Sequence, residues 1–305
     1  MISMPGNVPA GKLIPIHEGL STDKKYRVEC QNGEKYLLRI SDAARFERKR
    51  AEVELMEQCG MLGLPVQRVY NYGLSEDGKE VYVLLSWIEG HCIADIISRL
   101  TPRKRYELGC RAGSILSKLH SLLLPASFPI ANCNTQIFEN IDHTLMQYMD
   151  CGFHFKGDAS IIEYIVQNRA SLRFQRPCYL HRDYRLENMI LSDTEDLWII
   201  DWDSADFGDP WEDFGTLFWI AQISPEFANG QIHGYFGENP SSDFFRAMTL
   251  YEVCNILKSI TWIKQNSRED VNVMINFSNL LLDWHHNFES FTPSWYEPNP
   301  RQGMP

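Results

Sequence analysis

The apolar and polar positions of this chain divide it into a strand-rich beginning and a helix-rich remainder. Residues 12 to 40 alternate with the period of two expected of half-buried strands. Two polar turns break them, Glu18-Gly19-Leu20-Ser21-Thr22-Asp23 and Gln31-Asn32-Gly33-Glu34, the second with the Asn-Gly pair of a tight hairpin. From about Ala43 to Gly60 the apolar residues Phe46, Val53, Met56 and Cys59 fall near helical spacing. A continuous apolar run from Val81 then predicts a buried strand ending at Ser86-Trp87-Ile88-Glu89-Gly90. Beyond it Leu108, Ala112, Ile115, Leu116 and Leu119 mark one face of a helix that ends at His120. Residues 121 to 175, with Pro125 and Pro129, read as a helical insertion, and 211–227, 244–263 and 271–288 read as further, aromatic-rich helices.

Between these helical stretches lies the segment with the most chemistry. His181-Arg182-Asp183-Tyr184-Arg185-Leu186-Glu187-Asn188 precedes a polar hairpin tip, Leu191 to Asp196, and a strand, Leu197-Trp198-Ile199-Ile200, that delivers Asp201. Asn188 is five residues after Asp183 and Asp201 thirteen further, the spacing of a base and two metal ligands in phosphoryl transfer from a nucleotide. Asp183 would accept the proton of a hydroxyl nucleophile. Asn188 and Asp201 would hold Mg²⁺, a hard cation that takes few oxygens from protein when phosphates supply the rest. Asp203, two residues past Asp201 and on the same side if the strand persists, would assist a second metal. His181 would brace the loop. Asp-Phe-Gly occurs at 206–208 and again at 213–215, but both copies come too late after Asp183 to supply the metal ligand.

Composition narrows the partners. The 305 residues, 44% of them hydrophobic, suffice for two lobes, and a formal net charge of −11 argues against nucleic acid and for a cationic acceptor. Eight cysteines without C-x-x-C spacing read as free thiols, and His285-His286 lacks metal-ligand spacing. No signal peptide is read at Met1-Ile2-Ser3-Met4-Pro5 and no run approaches a membrane span, so a cytoplasmic chain with no membrane partner is expected, and no protein partner is indicated.

These residues, together with Ile200-Asp201-Trp202-Asp203 and the turn Gly208-Asp209-Pro210-Trp211-Glu212-Asp213, resemble the aminoglycoside phosphotransferase and choline kinase-like family of small-molecule kinases. The resemblance runs through about Phe218 and does not extend to 220–305. It implies an α+β, protein-kinase-like fold with an antiparallel-sheet N-terminal lobe over 1–89, a hinge at about 86–90 and a mostly helical C-terminal lobe over 90–305. It implies ATP or GTP as co-substrate, with Ser21 and Thr22 offering backbone N–H groups and hydroxyls to the phosphates, and Arg39 where most kinases carry the lysine that grips them. Glu52 is the expected partner of Arg39, with Glu47 and Glu54 as alternatives. The Ser86 carbonyl and the Ile88 N–H would hold adenine, with Leu85 as gatekeeper. Arg185 takes the place of a lysine that touches the γ-phosphate.

No long activation segment or Ala-Pro-Glu follows Asp201, so the acceptor is expected to be a small molecule. Asp206, Glu212 and Glu252 are candidate pocket carboxylates. An aminoglycoside-type or other cationic antibiotic leads. A kinase of an amino alcohol or sugar, and a non-catalytic nucleotide-binding module, are the alternatives.

Overall fold

The computed structural model describes residues 9, 11–17, 23–125, 128, 130–172, 176–237, 239–266 and 271–298. In chain order the strands are β1 (Gly11–Ile16), β2 (Lys24–Cys30), β3 (Lys35–Asp42), β4 (Val69–Leu74), β5 (Glu80–Ser86), β6 (Gly90–Cys92), β7 (Cys178–Leu180), β8 (Met189–Ser192), β9 (Leu197–Ile199) and β10 (Asp206–Gly208). The α-helices are α1 (Phe46–Met61), α2 (Ile93–Ile96), α3 (Pro102–His120), α4 (Ile130–Asp150), α5 (Asp158–Asn168), α6 (Leu217–Ile223), α7 (Pro225–Phe236), α8 (Ser242–Asn266) and α9 (Val271–Trp284).

The chain forms two compact units, Met1–Ala94 with Glu187–Asp203, and Asp95–Leu186 with Ser204–Pro305. The lobes expected from sequence, 1–89 and 90–305, were each continuous. In the structure the hairpin that carries Asn188 and Asp201 groups with the first unit instead.

The first unit is built on an antiparallel sheet of order β1-β2-β3-β5-β4. Gly33, at φ 86°, supplies the left-handed turn residue that joins β2 to β3, and Cys30 N–H closes the turn on the Glu34 carbonyl at 2.9 Å. This turn sets the register, which pairs Lys25 with Arg39 and Tyr26 with Leu38. One face of the sheet buries Val28, Tyr36, Leu38, Ile40, Tyr82 and Leu84, with Leu13, Tyr26 and Cys30 packed against them. The period of two sends Leu37, Arg39 and Ser41 to the other face. Helix α1, entered through a 3₁₀ turn that the Asp42 side chain caps at the Ala44 N–H, packs against β4 and β5. A second sheet of order β6-β8-β9 completes the unit, and Ile199 N–H bonds the Pro65 carbonyl at 2.9 Å.

Among its described residues the second unit's regular structure is helical apart from the pair β7–β10. Helix α8 is its centre. It is buried on nearly every side, from Phe244 to Ile263, and α4, α5 and α9 pack on it. Helices α3 and α7 meet through glycines four residues apart on each, Gly109 and Gly113 facing Gly230 and Gly234. A Cβ added at Gly113 would lie 2.0 Å from the Gln231 carbonyl oxygen, and one at Gly234 2.0 Å from that of Cys110. Side chains of any size would force the two helices apart. The expected helix over 271–288 stops at Trp284, because His286, Asn287 and Phe288 all take left-handed backbone conformations.

Gly113→Ala should therefore destabilise the chain by about 3 kcal/mol, as overpacked cores do. Gly60→Ala, at a helical site with nothing within 4 Å of the added methyl, should instead be neutral or stabilising by up to about 1 kcal/mol. Urea denaturation of the two variants against wild type checks both. Equal midpoints for wild type and Gly113→Ala would contradict the close helix approach.

Candidate active site

In the first unit the polar face of the sheet carries a buried cluster of charge. Arg39 is 3% exposed, and Asp23 and Glu52 hold its guanidinium on two sides: Nε and Nη2 donate to Asp23 Oδ2 at 3.2 and 2.9 Å, and Nη1 donates to Glu52 Oε1 at 2.5 Å. Glu52 is thus the α1 carboxylate that Arg39 meets. Lys49, one helical turn earlier and 1% exposed, donates to Asp23, Glu52 and Asp203 at 2.7, 3.2 and 2.7 Å. Arg45 reaches Asp23 at 2.9 Å and grips both Asp203 oxygens at 2.9 and 3.0 Å. Burial alone would raise the carboxyl groups of Asp23 and Asp203. The ammonium of Lys49 and the neighbouring guanidinium groups more than offset it, so both lie below the ordinary carboxylate range. The Asp203 expected to assist a second metal is therefore already engaged by Arg45 and Lys49.

The hairpin β8–β9 brings Asn188 and Asp201 into register, since Ile200 N–H donates to the Asn188 carbonyl at 2.9 Å. Asp201 takes a left-handed conformation at φ 62°, which costs a non-glycine residue about 1–2 kcal/mol and accompanies sites under functional constraint. Its carboxylate is 28% exposed, 3.4 Å from Lys25 Nζ and 3.8 Å from Arg39 Nη2. One amide oxygen and one accessible carboxylate suit a cation that draws its other oxygens from phosphate and water. Among the described residues no group of three or more His, Cys, Asp or Glu could hold a metal by itself.

In the second unit β7 runs into the loop of Asp183. Asp213 holds this loop. Its Oδ1 accepts from the Arg182 N–H at 2.6 Å, and its Oδ2 accepts from the His181 N–H at 2.8 Å and faces His120 Nε2 at 3.1 Å. Arg182 is left-handed at φ 63°, with its guanidinium on Glu212 and the Phe207 carbonyl. Tyr184 is buried, and its hydroxyl donates to the Ala112 carbonyl at 2.8 Å. His181, fully buried, offers Nδ1 to the Asp183 N–H at 3.3 Å. The Asp183 carboxylate itself is one-third exposed and pairs with Arg185 Nε at 2.9 Å, and the Arg185 guanidinium lies over the Trp219 ring. Asp213 is thus a loop clamp. Asp209 caps the following 3₁₀ helix (Pro210–Thr216) at the Trp211 N–H, with burial lifting its carboxyl to about 7.

The remaining expected residues fall as follows. Ser21 and Thr22 lie outside the described residues. The Ser86 carbonyl accepts from Gln67 Nε2 at 2.8 Å, and Leu85 is buried on β5 opposite Leu37. A groove of about 380 Å³ follows this segment, lined among others by Val66, Arg68, Trp87, Ile88 and Trp198, with no residue of β1 to β3 in its wall. Of the candidate pocket carboxylates, Asp206 is exposed on β10 and Glu212 pairs with Arg182. Glu252 is buried in α8, which pushes its carboxyl well above the ordinary range. A cavity beside Glu212, Tyr251 and Lys258 measures about 20 Å³, room for a water molecule only.

A family model described as a phosphotransferase enzyme family matches residues 12–246. The chain belongs to this phosphotransferase family. It is a small-molecule phosphotransferase with the protein-kinase-like fold. Similar solved structures include the aminoglycoside phosphotransferase APH(2'')-Ib with ADP bound, at 18% identity over 89% of this chain and 92% of that one, with a TM-score of 0.61. A ternary complex of streptomycin, ATP and APH(2'')-IIa is also similar, at 18% identity over 89% and 90% of the two chains and a TM-score of 0.60. So is a choline/ethanolamine kinase family protein from Mesorhizobium loti, at 18% identity over 90% and 89% and a TM-score of 0.61. At such identities the likeness is one of fold. No curated protein matches the sequence.

Four residues of this phosphotransferase's charge cluster went unread in sequence: Asp23, Lys25, Arg45 and Lys49. Lys25 was accessible by counting outward from the Asn32-Gly33 turn, which sets it opposite Arg39. Lys49 had the spacing of an i,i+3 pair with Glu52 but looked like an ordinary exposed helix charge. No helix among the described residues is long and apolar enough to cross a membrane, and all eight cysteines are free thiols.

The clamp yields a pH-dependent expectation. Burial would raise the Asp213 carboxyl, but hydrogen bonding from His120 and the His181 backbone lowers it overall. Its stabilisation is present above the unfolded value of about 3.9 and is lost as pH falls through the depressed folded value. Asp213→Asn should cost about 2 kcal/mol at neutral pH, with the gap to wild type closing below about pH 4. Thermal melts across pH check this, and a gap independent of pH would show that the charge of Asp213 is not what holds the loop.

Proposed function

We propose that this phosphotransferase moves the γ-phosphoryl group of ATP or GTP to a hydroxyl of a small cationic molecule, of which an aminoglycoside-type antibiotic is the leading class. In the second unit Asp183 takes the proton of the acceptor hydroxyl while the hydroxyl oxygen bonds to the γ-phosphorus, and the bond to the β,γ-bridging oxygen breaks to release the nucleoside diphosphate. Arg185, paired with Asp183 at 2.9 Å, offsets charge on the transferring group. In the first unit Asn188 and Asp201 hold Mg²⁺, which when bound neutralises phosphate oxygens. Ser21, Thr22, Ser86 and Ile88 remain proposed contacts of the nucleotide, and Asp203 a proposed support of the metal site.

The observation that carries this reading is Asp183, an accessible carboxylate on a loop whose backbone is fixed from behind by a buried Asp213. A general base needs this combination, since the loop must not move while the carboxylate stays within reach of substrate. The cationic acceptor is supported by the net charge of −11 and by the streptomycin named with a similar structure. A choline/ethanolamine kinase family protein is comparably similar, so an amino alcohol is the second reading, and it too is a cation.

Mass spectrometry of a mixed panel of aminoglycosides, amino alcohols and neutral sugars incubated with MgATP or MgGTP tests the proposal. Phosphorylated product should form only from amine-bearing hydroxyl compounds. The apparent acceptor affinity should weaken as salt shortens the Debye length below about 10 Å. Asp183→Asn should lower kcat on the order of 100-fold or more. Product from neutral or anionic compounds alone would refute the cationic acceptor, and full activity in Asp183→Asn would refute the base.

A further inference from the structure

Arg39 stands where a kinase is expected to grip the nucleotide phosphates, yet its setting fits another task. Its side chain is 3% exposed, and the carboxylates on either side, Asp23 and Glu52, are no more than 1% exposed. Among the described residues, a phosphate that took over the guanidinium would leave Glu52 with Lys49 alone and Asp23 with Lys49 and Arg45, two buried anions each short of one partner. Removing a partner from a buried charge is costly, so the exchange is unfavourable. Buried Lys49 and the part-exposed Arg45 are each committed to both Asp23 and Asp203. Among the described residues the cluster holds four cations, Lys25, Arg39, Arg45 and Lys49, against four carboxylates, Asp23, Glu52, Asp201 and Asp203. These ion-paired side chains balance one another, and Arg48 adds a further guanidinium on the Asp203 carbonyl at 2.9 Å.

Lys25 differs from the other three cations. It faces Arg39 directly across the β2–β3 pair, so both side chains leave the same face of the sheet with Cβ atoms about 5 Å apart. Its side chain is 14% exposed, more than Arg39 and Lys49 and less than Arg45. Among the described residues Arg39, Arg45 and Lys49 each meet two or more carboxylates, whereas the one ion pair of Lys25 is with Asp201, at 3.4 Å. That distance is long for a charge-assisted bond and the partner is itself partly open to solvent. Asp201 is also the carboxylate proposed to turn to Mg²⁺. Once it does, Lys25 loses its partner at the place where phosphates enter, and its flexible stem and three N–H donors suit a moving phosphate oxygen.

We infer that Lys25 on β2 is the cation that contacts the nucleotide phosphates, and that Arg39 is the buried brace that fixes Asp23, Glu52 and α1. The inference deepens the phosphotransferase reading and rests on it. It gives to the neighbouring strand the contact that the family resemblance implied for β3.

Calorimetric titration of wild type, Lys25→Ala and Lys25→Gln with a non-hydrolysable MgATP analogue, MgADP and adenosine tests it. Lys25→Gln keeps the stem and a polar tip, so a folded variant is available should Lys25→Ala be damaged. Both variants should bind the MgATP analogue about 10- to 100-fold more weakly, bind adenosine as wild type does, and melt within a few degrees of it. Arg39→Lys should instead lose chiefly melting temperature. Wild-type affinity for the MgATP analogue in both Lys25 variants would overturn the inference. So would an equal loss for adenosine, which carries no phosphate. No binding of the MgATP analogue or its guanosine counterpart to wild type would overturn the nucleotide reading as a whole, an outcome distinct from either.

Discussion

A guanidinium that is never deprotonated must be compensated wherever the chain buries it, and the first unit is organised around that requirement at Arg39. Asp23 and Glu52 flank it, and because both are buried they need more than one cation between them. Lys49 and Arg45 supply the rest and extend the pairing to Asp203. The cluster therefore joins β3, α1 and the segment after β9, elements far apart in sequence. Its value is positional more than energetic. Ion pairs of this kind return little net stability over well-packed apolar residues, but removing one partner is costly, and that penalty holds each member in place.

Each unit thus sets the accessible carboxylate of its candidate site against buried, ion-paired neighbours. In the first unit Asp201, in a left-handed conformation, is more exposed than Arg39, Lys49 and Lys25 beside it. In the second, Asp183 is exposed while Asp213 ties down the backbone of His181 and Arg182. Rigid support with an accessible functional atom is what positional catalysis of phosphoryl transfer requires. The glycine contact of α3 with α7 serves the same end, because Tyr184 hangs from the Ala112 carbonyl beside Gly113.

Local signals carried most of the fold. The Asn-Gly turn, the apolar run of β5 and the polar tip between β8 and β9 each act over a few residues, and each appears where the pattern placed it. Signals that depend on distant partners were not legible. Arg45 and Asp203 are separated by 158 positions, and neither periodicity nor spacing connects them. Asp213 reads as part of a duplicated Asp-Phe-Gly, and only the folded chain shows its oxygens on the backbone of the loop before β8. Asp206 to Gly208 became a strand through pairing with β7, which no local propensity announces. The acceptor pocket is the least legible part, since the carboxylates proposed for it proved exposed, paired or buried once α8 was in place.

The charge cluster of the first unit is proposed as a nucleotide and metal site with Asp201 as the metal-facing carboxylate. Electron paramagnetic resonance of Mn²⁺ with ATP, read in wild type and in a folded Asp201→Ala variant, tests it most directly. Wild type should shift the Mn²⁺ spectrum away from that of free MnATP, and Asp201→Ala should return it toward the free form. A spectrum identical to free MnATP in wild type, or an undiminished shift in Asp201→Ala, would contradict it.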